Sequence, residues 1–503
     1  MKTARDALHA IIPDALESFE AAGALSLAGH AMSFAAPHPA RPALQDGGDL
    51  IDLACSEATG LFSPRLAKAL RLELEENFHT LTANHHGVDF HPEFMQGTLL
   101  FAMNCRHAVP LFSCGGVPGN NAAYPRGILM GRGEPGSFRP TRLPVLPDKN
   151  RHILVSAQAA FDEAPVRAAL AALPAKRLPA LEEKAAARIM RNIYLHPRVL
   201  GQSCFRNQAS IMNGLLWEHI AAPECGLPPL AALDMQYLSG RLIARDAALP
   251  HTLIHRLLVE PSLTAAVCEE LDGQRACWER DGMGRIQRGT FLFWGVDEKG
   301  RALALAPSPD FRELVAVRRP EWRVALEPGA LREGLEHLRL LPSLFLFFVS
   351  VALARGLRCA GGVFQSGYLP RMGAGVAAAL RRCGESAMAD RIHVSSPPCT
   401  GLVPLRLPRP DGITPEERAV GHAAGALELV TCGGLSTQLW EAIRVARVGD
   451  ALAVSLPYHY EDLAGEHRQE AIWRTLMREA ASVRSLPFLR IAAPAESRGG
   501  AHA

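Results

Sequence analysis

The sequence predicts an α/β fold with a largely helical middle region, on three observations. Apolar segments end in Gly-Gly three times, at Cys114-Gly-Gly116, Ala360-Gly-Gly362 and Cys432-Gly-Gly434. Open α/β sheets bind ligands at the carboxyl ends of their strands, and glycine lets the backbone approach a ligand closely, so three such ends could line one crevice. The plainer alternative is that each Gly-Gly only turns the chain. Residues 158–190 are rich in Ala, Leu, Glu and Lys and open a helical stretch that runs to residue 285. From residue 286 onward, helical and strand-like patterns alternate.

The elements follow in order. Residues 1–30 carry Leu8, Ile11, Ile12, Leu16 and Phe19 at helical spacing, which predicts one helix, and a proline-rich link, Pro37–Pro42, separates it from the body. Ser63-Pro64 opens a second helix that runs to Glu76, since serine can cap the free amides of a first turn and proline suits that turn. The segment Asn77–Glu93 reads as a loop, and Pro92 opens a helix through Leu100 and Met103. Ala108–Ser113 is a short buried strand. Arg206-Asn-Gln208 and Asn213 sit on an amphipathic helix leading to Trp217, where they could reach a pocket or only solvent. Thr290–Leu305 is a β-hairpin turning at Asp297–Gly300. The longest apolar run, Leu340–Ala354, is too short for a membrane span and fits a buried helix. The chain divides into an N-terminal α/β part (1–157), a mainly helical region (158–285), a C-terminal α/β part (286–495) and a disordered tail (496–503).

Composition narrows the function. A net charge of +2 and the absence of any block of like charges give no field to hold nucleic acid or an anionic membrane. The eleven cysteines are scattered and form no C-x-x-C pair, which argues for reduced, buried thiols. The amino terminus lacks an apolar signal core, so a soluble cytoplasmic protein is expected. No P-loop, no G-x-S-x-G elbow and no G-x-G-x-x-G after a strand occurs, which argues against a P-loop kinase, an ordinary α/β-hydrolase and a standard NAD dehydrogenase.

The densest chemistry lies in Asn77–Glu93, seventeen residues with four histidines and two carboxylates. Imidazole titrates near neutrality and is the commonest metal ligand. His85, His86 and His91 could converge on one substrate group as proton-transfer residues, with His79, Asp89 and Glu93 nearby. Alternatively His85, His86, His91 and Glu93 could hold Zn or Fe, although the spacing matches no defined zinc signature. They could also merely cap turns. After the first Gly-Gly, Asn120, Asn121 and Arg126 could hold a substrate's charged end. Gln365, Tyr368 and Arg371, with Ser366, could close the opposite wall. Cys114 reads as a buried thiol, or as a nucleophile if its pKa is lowered. His196, His251, His255 and Tyr458-His-Tyr460 read as helix-face or surface groups.

The run Thr82-Ala-Asn-His-His-Gly-Val-Asp-Phe-His-Pro-Glu-Phe94 resembles a segment near the start of the bacillithiol synthase core. Thr82, Gly87, Pro92 and Phe94 fall at matching places, and Ala83 stands where that family has glycine. A helix and a Val-Pro strand follow, here Val109-Pro110, and Gly361-Gly362 resembles a later Gly-Gly of that family. The resemblance implies a Rossmann-like core with helical insertions and condensation of an amino acid or thiol compound with a small acceptor. The extra histidines depart from that pattern.

The combined expectation is an α/β protein with a Rossmann-like layered core and a helical middle region. It would be a small-molecule biosynthetic enzyme, of ligase or transferase type, acting on an anionic, amino-acid-like substrate. His86→Ala would then abolish turnover in a folded protein. A metal-dependent hydrolase or oxygenase at the same cluster, and a non-catalytic ligand-binding protein, are the alternatives.

Overall fold

The computed structural model describes residues 4–35, 43–133, 137–221, 223–392, 398–409, 412 and 414–489. Four short strands, β1 (His79–Leu81), β2 (Val109–Ser113), β3 (Leu230–Asp234) and β4 (Arg358–Ala360), form one parallel sheet in the order β4-β1-β2-β3. Their side chains divide between two cores. Val109, Leu111, Leu230 and Ala232 face one, while Ala108, Phe112, Ala231 and Leu233 face the other. A strand apolar on both faces needs cover on both, which a parallel sheet with crossover helices supplies.

Eight helices matter for the site: α1 (Gly48–Leu61), α2 (Pro64–Asn77), α3 (Pro92–Ala102), α4 (Phe205–Ile220), α5 (Met235–Asp246), α6 (Pro328–Glu336), α7 (Gln365–Arg382) and α8 (Val448–Ala464). Helices α3, α4 and α8 contribute to the first core, and α1, α2, α5 and α7 to the second. The chain passes through α3 between β1 and β2 and through α4 between β2 and β3, then crosses to pair β4 with the free side of β1. The strand order therefore reverses at β1, where open α/β sheets leave a crevice. Pairing also runs on beyond the strand ends. Cys114 N donates to Asn84 O (2.8 Å) and His86 N donates to Cys114 O (2.7 Å).

Several expectations hold. Ser63 caps α2, its Oγ accepting Leu66 N at 3.2 Å. Phe293–Val296 pairs antiparallel with Ala302–Pro307 across a turn in which Asp297 Oδ1 accepts the Lys299 and Arg301 amides. That hairpin belongs to a five-stranded sheet completed by Glu313–Ala316, Arg319–Ala325 and Leu340–Pro342. No helix among the described residues is long and apolar enough to cross a membrane.

Other elements differ, each for a local reason. Residues 4–32 form three helices, Ala4–His9, Pro13–Ala21 and Leu27–Met32, because Pro13 opens a new helix and Ser26 caps another. The loop Asn77–Glu93 begins with the strand β1, and the helical middle contains β3. The parallel sheet thus takes a strand from each of the three stretches the sequence separates. In the apolar run from Leu340, the first three residues are a strand, and Ser343 then caps the helix Leu344–Phe348. The third Gly-Gly ends the helix Ala426–Thr431, with Gly434 N bonded to Leu429 O, so only two Gly-Gly pairs follow strands of the parallel sheet. The Pro37–Pro42 link and the 496–503 tail lie outside the described residues.

One buried cation joins these parts. The Arg355 guanidinium is fully buried and bonds Asp49 in the first turn of α1 (2.9 and 2.8 Å), Asp246 at the end of α5 (2.7 Å) and Ser350 O (2.8 Å). Removing one partner of a buried pair leaves the other charge uncompensated, at a cost of about 3–5 kcal/mol. Arg355→Met is therefore expected to lower the urea midpoint by that amount of stability with an unchanged slope. A loss below about 1 kcal/mol would show that the network is dispensable.

Candidate active site

The carboxyl edge of the parallel sheet carries a row of polar groups. Over β4, Gln365 Nε2 donates to Thr82 Oγ1 (2.9 Å) and Cys359 O (3.0 Å), and the Tyr368 hydroxyl donates to Gln365 Oε1 (3.3 Å). Burial pushes the Tyr368 phenol up, which keeps it protonated. Beyond β1, His85 Nδ1 meets Asn121 Oδ1 at 3.1 Å. That oxygen also accepts the Ala123 amide (2.8 Å), so it acts as the acceptor and the His85 proton sits on Nδ1. Burial lowers the His85 pKa, opposed by the Asn121 bond. His85 is thus a neutral imidazole with an unprotonated Nε2, the form a general base requires.

The three expected histidines do not act as one group. His86 is fully buried and both ring nitrogens are used, Nδ1 by Ser113 Oγ (2.7 Å) and Nε2 by Arg206 O (2.9 Å). A carbonyl only accepts, so Nε2 carries the proton. His91 packs on Phe94, as His85 does from another side, with ring centroids 4.6 and 5.3 Å away. Its Nε2 lies 3.3 Å from the Tyr458 hydroxyl and its Nδ1 is buried without a hydrogen bond. Burial above all pushes its pKa down to about 3, with the Arg142 charge acting in the same direction. Tyr458 and His459, expected on a helix face or at a surface, lie on α8 and are buried there, with His459 Nε2 donating to Gly401 O (2.6 Å).

The loop itself is pinned from α4: Asn213 Oδ1 accepts Asp89 N (2.8 Å) and its Nδ2 donates to Gly87 O (2.6 Å). Asp89 Oδ2 accepts Asn84 Nδ2 (2.8 Å) and Thr98 Oγ1 (3.3 Å), while Oδ1 is buried and unbonded. Burial pushes the Asp89 carboxyl up to about 7, against those two hydrogen bonds.

The remaining expected residues separate. Arg126 is buried but paired with Asp148 at 3.1 Å. Arg371 is tied to Asp14 on an N-terminal helix (3.1 Å), and Asn120 accepts from Arg142 (3.0 Å) at the surface. Burial pushes the Cys114 thiol up to about 11, which makes it a neutral thiol and not an activated nucleophile.

The arginines that do line a cavity are different ones. A cavity of about 840 Å³ lies between α5, α6 and the strand Leu340–Pro342. Its polar lining includes Arg206, Arg241, Arg245, Arg332, Ser156 and Gln236. Arg206 lies 3.7 Å over the Tyr237 ring and pairs with Glu57 (3.5 Å), while Arg245 is held by Asp49 and Asp246. Arg241 and Arg332 have no hydrogen bond or ion pair among the described residues. At the cavity's inner end, Gln236 Oε1 accepts Gly115 N (2.6 Å), Gln236 Nε2 donates to Cys114 Sγ (3.5 Å), and Ser156 Oγ donates to Asp234 Oδ2 (2.5 Å). The first Gly-Gly thus lies behind two lining residues of this cavity, Gln236 and Ser156. A Cβ at Gly115 would fall 2.1 Å from Ser156 Oγ. Of the cavity arginines only Arg206 stands out in sequence, and a four-residue repeat of polar side chains on α5 (Tyr237, Arg241, Arg245) is the signal that could have found two more.

Metal-competent geometry also lies elsewhere than expected. Among the described residues, His85, His86, His91 and Glu93 do not bring ligand atoms together, whereas Glu73, His79 and Cys105 do, all within 4.8 Å of one another and all buried. That group could hold a metal ion. No protein family, no curated protein and no solved structure matches this chain.

Two outcomes follow from the site. His86→Ala would take one hydrogen bond each from Ser113 Oγ and Arg206 O and leave a void, so it should cost about 2–4 kcal/mol of stability by chemical denaturation, instead of sparing the fold as the sequence suggests. Equal stability of His86→Ala and the parent would remove its anchoring role. Asp89 has its ordinary value of 3.8 when unfolded and about 7 when folded, so its contribution is fully present below about pH 4 and is lost as pH rises through 7. Asp89→Asn should flatten the fall in unfolding free energy between about pH 4 and pH 7. An unchanged fall would refute the assignment.

Proposed function

We propose that this protein is an enzyme of small-molecule metabolism that binds an anionic, amino-acid-like substrate beyond the carboxyl ends of β2 and β3. In this reading the parallel sheet is a Rossmann-like layered core, and the chemistry is ligation or group transfer. The observation that carries the reading is the arginine-lined cavity, whose Gln236 and Ser156 pack on the first Gly-Gly. Guanidinium groups bind carboxylate and phosphate oxygens with paired, charge-assisted hydrogen bonds, and Arg241 and Arg332 are free to do so. Glu336 is the single acidic group of the lining and suits a substrate ammonium. His85 is the proposed proton-transfer residue; it stands outside the cavity lining and is linked to it through the Cys114 backbone pairing and the Cys114–Gln236 contact, so the substrate's reacting end would have to extend to it along the sheet edge. The short resemblance to bacillithiol synthases points to the same substrate class. Eleven free cysteines suit a reducing compartment, so the cytoplasm is the proposed location.

The test is calorimetric titration of the full chain with inorganic phosphate, pyrophosphate, L-glutamate and L-cysteine, with glycerol as the uncharged control. Saturable binding of at least one anionic probe is expected. The double variant Arg241→Ala/Arg332→Ala should weaken it by about 10- to 100-fold, the loss of one or two charge-assisted contacts. For a substrate found this way, His85→Gln should leave affinity within about threefold and abolish product formation seen by mass spectrometry. No anion binding, or binding indifferent to both arginines, would overturn the reading.

A further inference from the structure

We propose that Glu73, His79 and Cys105 bind a divalent metal ion of the zinc type at the amino end of β1, the opposite end of the sheet from the arginine cavity. Three elements supply the donors: α2 gives Glu73, β1 gives His79, and the turn after α3 gives Cys105. His79 Nε2 is 3.0 Å from Glu73 Oε1 and 4.0 Å from Cys105 Sγ. Zinc–ligand bonds of about 2.0–2.3 Å in a tetrahedral arrangement need donor separations of about 3–4 Å, so little movement is required to seat the ion. Thiolate and imidazole favour zinc, cobalt or iron over magnesium or calcium, which take oxygen alone.

The surroundings suit a metal in three further ways. Glu73 Oε2 accepts the Arg106 and His107 amides, each at 2.8 Å, which fixes the carboxylate while Oε1 faces His79. Such outer contacts orient ligands in metal sites. Carboxylate and thiolate together cancel the charge of a divalent ion, so the buried site is neutral when filled. A cavity of about 510 Å³, lined by Cys105, Asn104 and Asn77 among others, meets the group at its thiol, the side from which an ion and a fourth ligand would enter. Asn104 Nδ2 is buried with no hydrogen-bond partner and is available to a water on the ion. On binding, the Cys105 S–H bond breaks and its proton leaves to solvent. To ligate through Nε2, His79 must carry its single ring proton on Nδ1, which has no partner of its own. No electrons are transferred.

The experiment uses the full chain, stripped with a chelator and titrated with Co²⁺. One equivalent should bind with tetrahedral visible bands and a near-ultraviolet thiolate-to-cobalt band, and Zn²⁺ should displace it. Cys105→Ser should lose the thiolate band, and Cys268→Ser, a buried cysteine remote from the group, should keep it. Should Cys105→Ser fail to fold, alkylation of the unaltered protein decides the matter: bound Zn²⁺ should protect Cys105 from a thiol reagent, located by peptide mass. No cobalt uptake, a thiolate band that survives Cys105→Ser, or no protection of Cys105 would each overturn the assignment. Anion binding in the arginine cavity is a separate measurement and does not depend on the result.

Discussion

The parallel pairing of β1 with β2 runs past the ends of both strands, and the rest of the site depends on that continuation. His85 forms a bridge with Cys114, so the chain is still extended there, and neighbouring side chains of an extended chain point to opposite sides. Adjacent histidines therefore meet different fates. His85 turns to Asn121 and Phe94 and keeps a bare Nε2. His86 turns inward and binds the Arg206 carbonyl, which fixes the first turn of α4 and hence the position from which the Arg206 side chain enters the cavity. One residue of register would exchange the imidazole with a bare Nε2 and the one bonded through both nitrogens.

Burial sets the charge state of this edge more than any ion pair does. It is the largest influence on His85, His86 and His91, and it leaves all three neutral near physiological pH. Neutral imidazoles do not compete with Arg241 and Arg332 for an anion, nor repel the cations beside them. The positive charge is concentrated instead on guanidinium groups, which cannot lose it by burial of this degree. In the proposed reading, proton transfer and anion binding thus fall to different side chains.

Much of the frame is legible in the sequence because its signals are local. The Ser63-Pro64 start of α2, the turn at Asp297–Gly300 and the helix after Pro92 each depend on residues a few positions apart. The parallel sheet is less legible because its strands are short and their partners distant. Within β1 only His79, Thr80 and Leu81 pair, too few to show a period, and β3 lies in a helical stretch with its partner β2 far upstream. The site suffers most. Nothing in the neighbourhood of Arg126 says that Asp148 will take it, and nothing in that of Arg332 says that no acid will. A histidine pair gives chemistry away by composition, but only the register tells which member is free.

The two ends of β1 pull these threads together. A three-residue strand has few ladder hydrogen bonds of its own, and its carboxyl end must still be placed closely enough to aim His85. Its amino end is held by Glu73, which at once bonds His79 and two amides of the turn after α3. Burial alone would raise the Glu73 carboxyl, but the His79, His107, Arg106 and Asn77 hydrogen bonds outweigh it and hold the pKa at about 2. The anchor therefore stays ionised down to about pH 2, and it ties α2, β1 and the turn after α3 together. Such rigidity is what a catalytic group on a loop needs, since the loop inherits its precision from the strand that precedes it.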